Sequence, residues 1–129
     1  MATASKSSKK RVRKSFETGI VTVKAEWNNT IVTLTDPEGN VLDWASPGRM
    51  GFKGARQSTP YAAQLSGEFV AEKAQMFSMK SVKVYIKGPG PGREQAIRGL
   101  INGGLDITQI VDRTRVPHGG CRPRRQRKI

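Results

Sequence analysis

All ten acidic residues of this 129-residue chain lie between Glu17 and Asp112. Ahead of them, Met1 to Lys14 carries Lys6, Lys9, Lys10, Arg11, Arg13 and Lys14. Behind them, Arg113 to Ile129 carries Arg113, Arg115, Arg122, Arg124, Arg125, Arg127 and Lys128. The other ten bases balance the ten acids, so Ser15 to Asp112 is formally neutral and the whole net charge of +13 sits in two flanking tails. Only the neutral segment can collapse without fighting its own charge, and 14.2 kDa has room for one domain. The expected division is a basic arm over 1–16, one globular domain over 17–112 and a basic tail over 113–129. Acid-free basic runs stay extended until a polyanion neutralises them. Two of them on one neutral body point to nucleic acid as the partner.

Other classes fall away on composition. Neither tail has the apolar face of a membrane anchor. No apolar run is longer than Phe69-Val70-Ala71, which excludes a transmembrane helix and a secretory apolar region. The single cysteine excludes an internal disulfide framework and fits a reducing compartment. The first tail shares its Ser- and Arg-rich, acid-free character with organelle transit peptides. It lacks apolar residues at helical spacing, however, and reads better as a nucleic-acid-binding arm.

Within the body, Gly19 to Trp27 alternates, with Val21, Val23, Ala25 and Trp27 on one face of a half-buried strand. Asn28-Asn29 makes a turn, Thr30 to Thr35 a β-branched second strand, Asp36-Pro37-Glu38-Gly39-Asn40 a tight turn, and Val41 to Trp44 a third strand. Pro47 to Gln57 is a Gly-rich basic loop. Ser58-Thr59-Pro60 opens a helix whose apolar stripe is Ala62, Leu65, Phe69 and Met76. Gly67 inside it costs about 1 kcal/mol relative to Ala, which suggests a close approach to the sheet. Ser81 to Lys87 is a strand with Val82, Val84 and Ile86 on one face. Gly88-Pro89-Gly90-Pro91-Gly92 leads into a short helix, Arg93 to Asn102, with Ala96, Ile97, Leu100 and Ile101 inward. Gly103-Gly104 stops it, and Leu105 to Val111 is a last strand, parallel to the one before. The fold class is α/β, a mixed five-stranded sheet with two main helices between extended basic N- and C-terminal tails.

Enzyme chemistry has little to work with. The Gly88–Gly92 connection meets a helix N-terminus, where free N–H groups attract anions. Its two prolines remove donors, though, and no Gly-Lys-Ser/Thr follows. Lys87 and Arg93 flank it, so a polymer phosphate can rest there, although Gly/Pro clusters also make ordinary turns. Arg49, Phe52, Lys53 and Arg56 give the earlier loop the cations and the aromatic ring that suit RNA, while Phe52 equally suits anchoring the loop. His118 and Cys121 fall short of a structural zinc site and lack the scaffold of a catalytic pair. Asp106 and Asp112, six residues apart on one strand at about 3.3 Å each, are too far apart to share a nuclease metal. Asp43 stands alone on its strand. The expectation is a protein that is not an enzyme and has no cofactor or metal. The rivals are a metal-dependent nuclease and a histone-like DNA compactor.

Several blocks then match a known pattern in order: Asn28-Asn29-Thr30-Ile31-Val32-Thr33, Gly51-Phe52-Lys53-Gly54, Ser58-Thr59-Pro60-Tyr61-Ala62-Ala63-Gln64, Lys87-Gly88-Pro89-Gly90, Gly92-Arg93-Glu94, Ala96-Ile97-Arg98, and Pro117-His118 with Gly120-Cys121-Arg122-Pro123. From about Gly19 to the C-terminus the chain resembles the bacterial-type small-subunit ribosomal protein S-eleven family. The resemblance implies a ribonuclease-H-like sheet without the nuclease carboxylates. It also implies a place on the small-subunit platform, bridging several helices of 16S-type ribosomal RNA and forming part of the Shine-Dalgarno cleft near the mRNA exit. The implied neighbours are ribosomal proteins S-seven, S-eighteen and S-twenty-one, with initiation factor three docking nearby. The implied setting is a cytoplasmic ribosome, with an organellar one as the alternative.

On this reading Arg49, Phe52, Lys53, Arg56, Lys87 and Arg93 position the body on ribosomal RNA. Arg113, Arg115, His118, Arg122, Arg124, Arg125, Arg127 and Lys128 belong to the tail's RNA path, and Lys9, Lys10, Arg11, Arg13 and Lys14 to the arm's. Three positions depart from the family pattern: Gly119 replaces an asparagine, and Arg115 and Arg124 replace prolines. The first excludes asparagine-specific backbone chemistry, and the other two add charge and remove stiffness.

Overall fold

A computed structural model of the chain describes residues 15–128. Its five strands are β1 (Thr18–Ala25), β2 (Thr30–Thr35), β3 (Val41–Ala45), β4 (Ser81–Lys87) and β5 (Asp106–Asp112), and its two α-helices are α1 (Pro60–Met76) and α2 (Arg93–Asn102). A short 3-10 turn, Gly54–Ser58, precedes α1. The sheet order is β3-β2-β1-β4-β5, with β2 antiparallel to both of its neighbours and β1, β4 and β5 parallel. This is the mixed five-stranded α/β architecture read from the alternation, including the parallel pairing of β4 with β5.

The alternating residues do sort by face. Val21, Val23, Val32, Leu34, Val82 and Val84 are fully or almost fully buried, and they share one core with Ala63, Val70, Ala71, Ala74, Ala96, Ile97 and Leu100 of the helices. Both helices thus cover the same face of the sheet. Among the described residues neither helix covers the other face, and the strand register aligns Trp44, Thr33, Thr22, Tyr85 and Val111 in one row across all five strands. Phe16, assigned to the arm from sequence, packs against the core and donates its N–H to the Phe77 carbonyl at 3.0 Å.

Three expectations about side-chain facing change. Trp27 is 70% exposed rather than part of the buried row. β1 ends at Ala25, and the Glu26 N–H donates to the Asn29 carbonyl at 2.8 Å, so Trp27 and Asn28 form the tip of a hairpin. The period-2 parity simply runs past the end of the strand.

In α1 the buried face is Ala62, Ala63, Ser66, Gly67, Val70, Ala71 and Ala74, while Leu65 and Phe69 are half-buried flanks and Met76 is exposed. Small residues face inward because α2 lies very close. A Cβ added at Gly67 would collide with the Ala96 carbonyl oxygen, and one at Gly99 with that of Gln64. The close approach inferred at Gly67 is therefore to the second helix and not to the sheet. That contact also orients α2, burying Ala96, Ile97, Gly99 and Leu100 and leaving Ile101 55% exposed.

The ends of α1 follow from local chemistry. Thr59 is the N-cap, its hydroxyl accepting from the Ala62 N–H at 3.3 Å, with Pro60 in the first turn, where its missing N–H costs nothing.

Candidate nucleic-acid interface

Because β1, β4 and β5 are parallel, their carboxyl ends at Ala25, Lys87 and Asp112 lie together, the place where open α/β sheets bind ligands. The Gly88–Gly92 loop seats directly on this end. The Gly90 N–H donates to the Ala25 carbonyl at 3.0 Å. A Cβ at Gly88 would strike that same carbonyl, and one at Gly90 would strike the carbonyl of Glu26. The glycines are needed so that the loop backbone can pack onto the root of the Trp27 hairpin. Lys24 and Lys87 stand opposite one another in the β1–β4 register, on the face of the sheet away from the helices.

The basic tail leaves from the same end, and its root is held. The Arg113 N–H donates to the Ile86 carbonyl at 2.7 Å, and its guanidinium lies 4.5 Å from the centre of the Tyr85 ring. The Thr114 hydroxyl accepts from the Gly88 N–H at 3.1 Å and donates to Asp112 Oδ1 at 2.6 Å. The Thr114 N–H adds a second bond to that carboxylate at 2.9 Å, and Arg93 Nη2 pairs with Asp112 Oδ2 at 2.6 Å. The Thr114 hydroxyl and N–H hold the Asp112 carboxyl below its usual range, and the Arg93 charge assists. Loop, helix start and tail root are tied together through one carboxylate.

Beyond this root, residues 113–128 are exposed throughout and form no helix or strand. Arg115, His118, Arg122, Arg124, Arg125, Arg127 and Lys128 all lie there. The described ion pairs, Lys24–Glu26, Arg49–Asp43 and Arg93–Asp112, involve none of them. Cys121 is free and exposed. Among the described residues no group of three His, Cys, Asp or Glu could hold a metal. Lys9, Lys10, Arg11, Arg13 and Lys14 lie outside the described residues.

The second basic region is the loop before α1. Met50, Gly51, Phe52, Lys53 and Arg56 line a shallow recess of about 380 Å³. Phe52 meets Tyr61 edge-on, with ring centres 6.1 Å apart. Lys53 and Arg56 are exposed, and neither forms an ion pair among the described residues.

Arg49 is engaged differently. Its Nη1 pairs with Asp43 Oδ1 at 2.9 Å and also bonds the Trp44 carbonyl. Its guanidinium lies 5.0 Å from the Trp44 ring centre and 4.9 Å from that of Phe69. Asp43, which the sequence leaves alone on its strand, thus has a partner.

Of the residues expected from sequence, Lys87, Arg93 and Arg113 come together at the carboxyl end of the sheet. Phe52, Lys53 and Arg56 gather at the recess, and Arg49 turns back onto the body. Sequence reasoning did not single out Trp27 and Lys24, which stand at the carboxyl end of β1. Lys24 was legible as the outward lysine of β1, but its partner Lys87 is set by a pairing between strands far apart in the chain.

Among the described residues no helix is long and apolar enough to cross a membrane. A family model described as Ribosomal protein S11 matches residues 19–128, from the start of β1 through the exposed tail. The chain therefore belongs to the ribosomal protein S11 family, structural rather than enzymatic proteins that bind RNA and serve translation within the ribosome, alongside ribosomal RNA and other ribosomal proteins.

Proposed function

We propose that this protein is fastened into folded small-subunit ribosomal RNA by its two basic tails, while the neutral body docks through its basic loops. The carrying observation is the disposition of charge. The described ion pairs are all within the body, whereas the cations from Arg115 to Lys128 are exposed and without carboxylate partners among the described residues. Lys53, Arg56, Lys87 and Arg93 position the body, with Phe52 at the recess. Arg122, Arg124, Arg125, Arg127 and Lys128 make most of the phosphate contacts, while Arg113, Arg115 and His118 guide the first part of the tail. Such contacts fix position, and specificity comes from RNA shape and a few base contacts.

The setting we propose is the small-subunit platform. There the protein bridges several helices of 16S-type RNA and lines the Shine-Dalgarno cleft near the mRNA exit. Ribosomal proteins S-seven, S-eighteen and S-twenty-one would be neighbours, with initiation factor three docking close by, in a cytoplasmic ribosome. The strand order, with β2 alone running against the others, supports a ribonuclease-H-like fold for the body.

The test is binding to small-subunit ribosomal RNA as a function of salt. With six to ten phosphates engaged, affinity falls by about 10³–10⁵ between roughly 50 and 200 mM salt. Removing residues 122–129 flattens that dependence. An unchanged slope would refute the tail assignment.

A further inference from the structure

Trp27 is not part of the hydrophobic core among the described residues. It sits at the tip of the β1–β2 hairpin, 70% exposed, where a turn needs no aromatic ring. Its backbone is nevertheless firmly placed. The Glu26 N–H closes the tip on the Asn29 carbonyl at 2.8 Å, and the Asn29 side chain accepts from the Thr30 N–H at 2.9 Å. The Gly90 N–H binds the Ala25 carbonyl beneath it. The hairpin thus presents a large indole beyond the carboxyl end of β1.

The charge around this hairpin selects the occupant. Lys24 and Lys87 face one another across neighbouring strands, which lie about 4.8 Å apart, so the two ammonium groups repel. Glu26, 3.3 Å from the Lys24 ammonium, offsets only part of that charge. A polyanion laid over the pair relieves the repulsion, and the indole at the hairpin tip, three residues along the chain from Lys24, offers a flat, sequence-tolerant surface for a base. An apolar protein partner would gain from Trp27 but would leave the lysines desolvated and opposed.

We propose that Trp27 is a nucleobase-stacking residue for an unpaired stretch of RNA whose backbone crosses Lys24 and Lys87. This rests on the reading of the chain as an RNA-binding protein and adds to it a contact with bases, which the tails do not supply.

The test uses the full chain and two single-stranded probes of about 12 nucleotides, oligoadenylate and an abasic strand of the same length. Trp27→Ala should lower affinity for oligoadenylate by about tenfold and leave the abasic strand unaffected, while Trp27→Phe should stay within about threefold of the parent. In a Trp44→Phe background, Trp27 emission should be quenched by oligoadenylate and not by the abasic strand. Equal affinity of parent and Trp27→Ala for oligoadenylate, or equal losses on both probes, overturns the proposal. Undiminished Trp27→Ala binding together with a flattened salt slope in the chain lacking 122–129 removes the stacking contact and leaves the tail reading standing. Base-dependent loss with an unchanged slope does the reverse.

Discussion

Arg49 Nη1 lies 2.9 Å from Asp43 Oδ1, and the same guanidinium lies about 5 Å from the ring centres of both Trp44 and Phe69. A cation in a Gly-rich basic loop invites assignment to phosphate. Here it ties that loop to the edge strand β3 and to α1. The planar fork suits this role and an ammonium does not. A partly exposed ion pair contributes up to about 1 kcal/mol, and each cation–ring contact about 0.5–1 kcal/mol.

Arg49→Ala should therefore lower stability by about 1–2 kcal/mol, read from the urea midpoint, while the salt dependence of RNA binding stays unchanged. A slope that falls by about one phosphate contact with no loss of stability would return Arg49 to the RNA.

Asp112 gathers the Thr114 hydroxyl and N–H and the Arg93 guanidinium, and its carboxyl is held below the usual range. A carboxyl that is more acidic in the folded chain stabilises it fully above the unfolded value of about 3.9, and that stabilisation is lost as pH falls through the folded value. Amide exchange at Gly88 and Thr114, referred to an unstructured peptide, should therefore lose protection as pH drops below about 4. Asp112→Ala should lose it at every pH. A pH-independent protection in the parent would show that the tail root is held by something else.

Gly67→Ala sets two effects against each other. Alanine gains about 1 kcal/mol in helix propensity, but its Cβ strikes the Ala96 carbonyl oxygen, which belongs to backbone that cannot swing aside. Overpacking of this kind costs about 1–3 kcal/mol, so the net change should be destabilising and visible in thermal unfolding. An increase in stability would mean that the two helices have room to part.

The elements were legible because alternation, β-branching and turn residues agree with one another here: Val82, Val84 and Ile86 alternate and are buried as read. What was not legible depends on contacts between distant segments. The apolar stripe of α1 misleads because size and burial part company where two helices touch, so Gly67 and Ser66 are inside while Met76 is outside. The exposure of Trp27 turns on where β1 stops, which the Gly88–Gly92 loop helps to fix from sixty residues away. The candidate interface was half visible. Its cations stand out in the sequence, but the Asp43 and Asp112 pairs that engage Arg49 and Arg93 are made by the fold.

Cys121 is the only cysteine of the chain and lies exposed in the middle of the basic tail. An iron chelate tethered to its sulfur, in subunits reassembled with this protein, generates hydroxyl radicals that cut nearby RNA. If the tail is threaded between RNA helices, strong cuts should fall in at least two separate regions of the small-subunit ribosomal RNA. RNA left uncut by the tethered chelate in fully assembled subunits would place the tail in solvent and contradict the account.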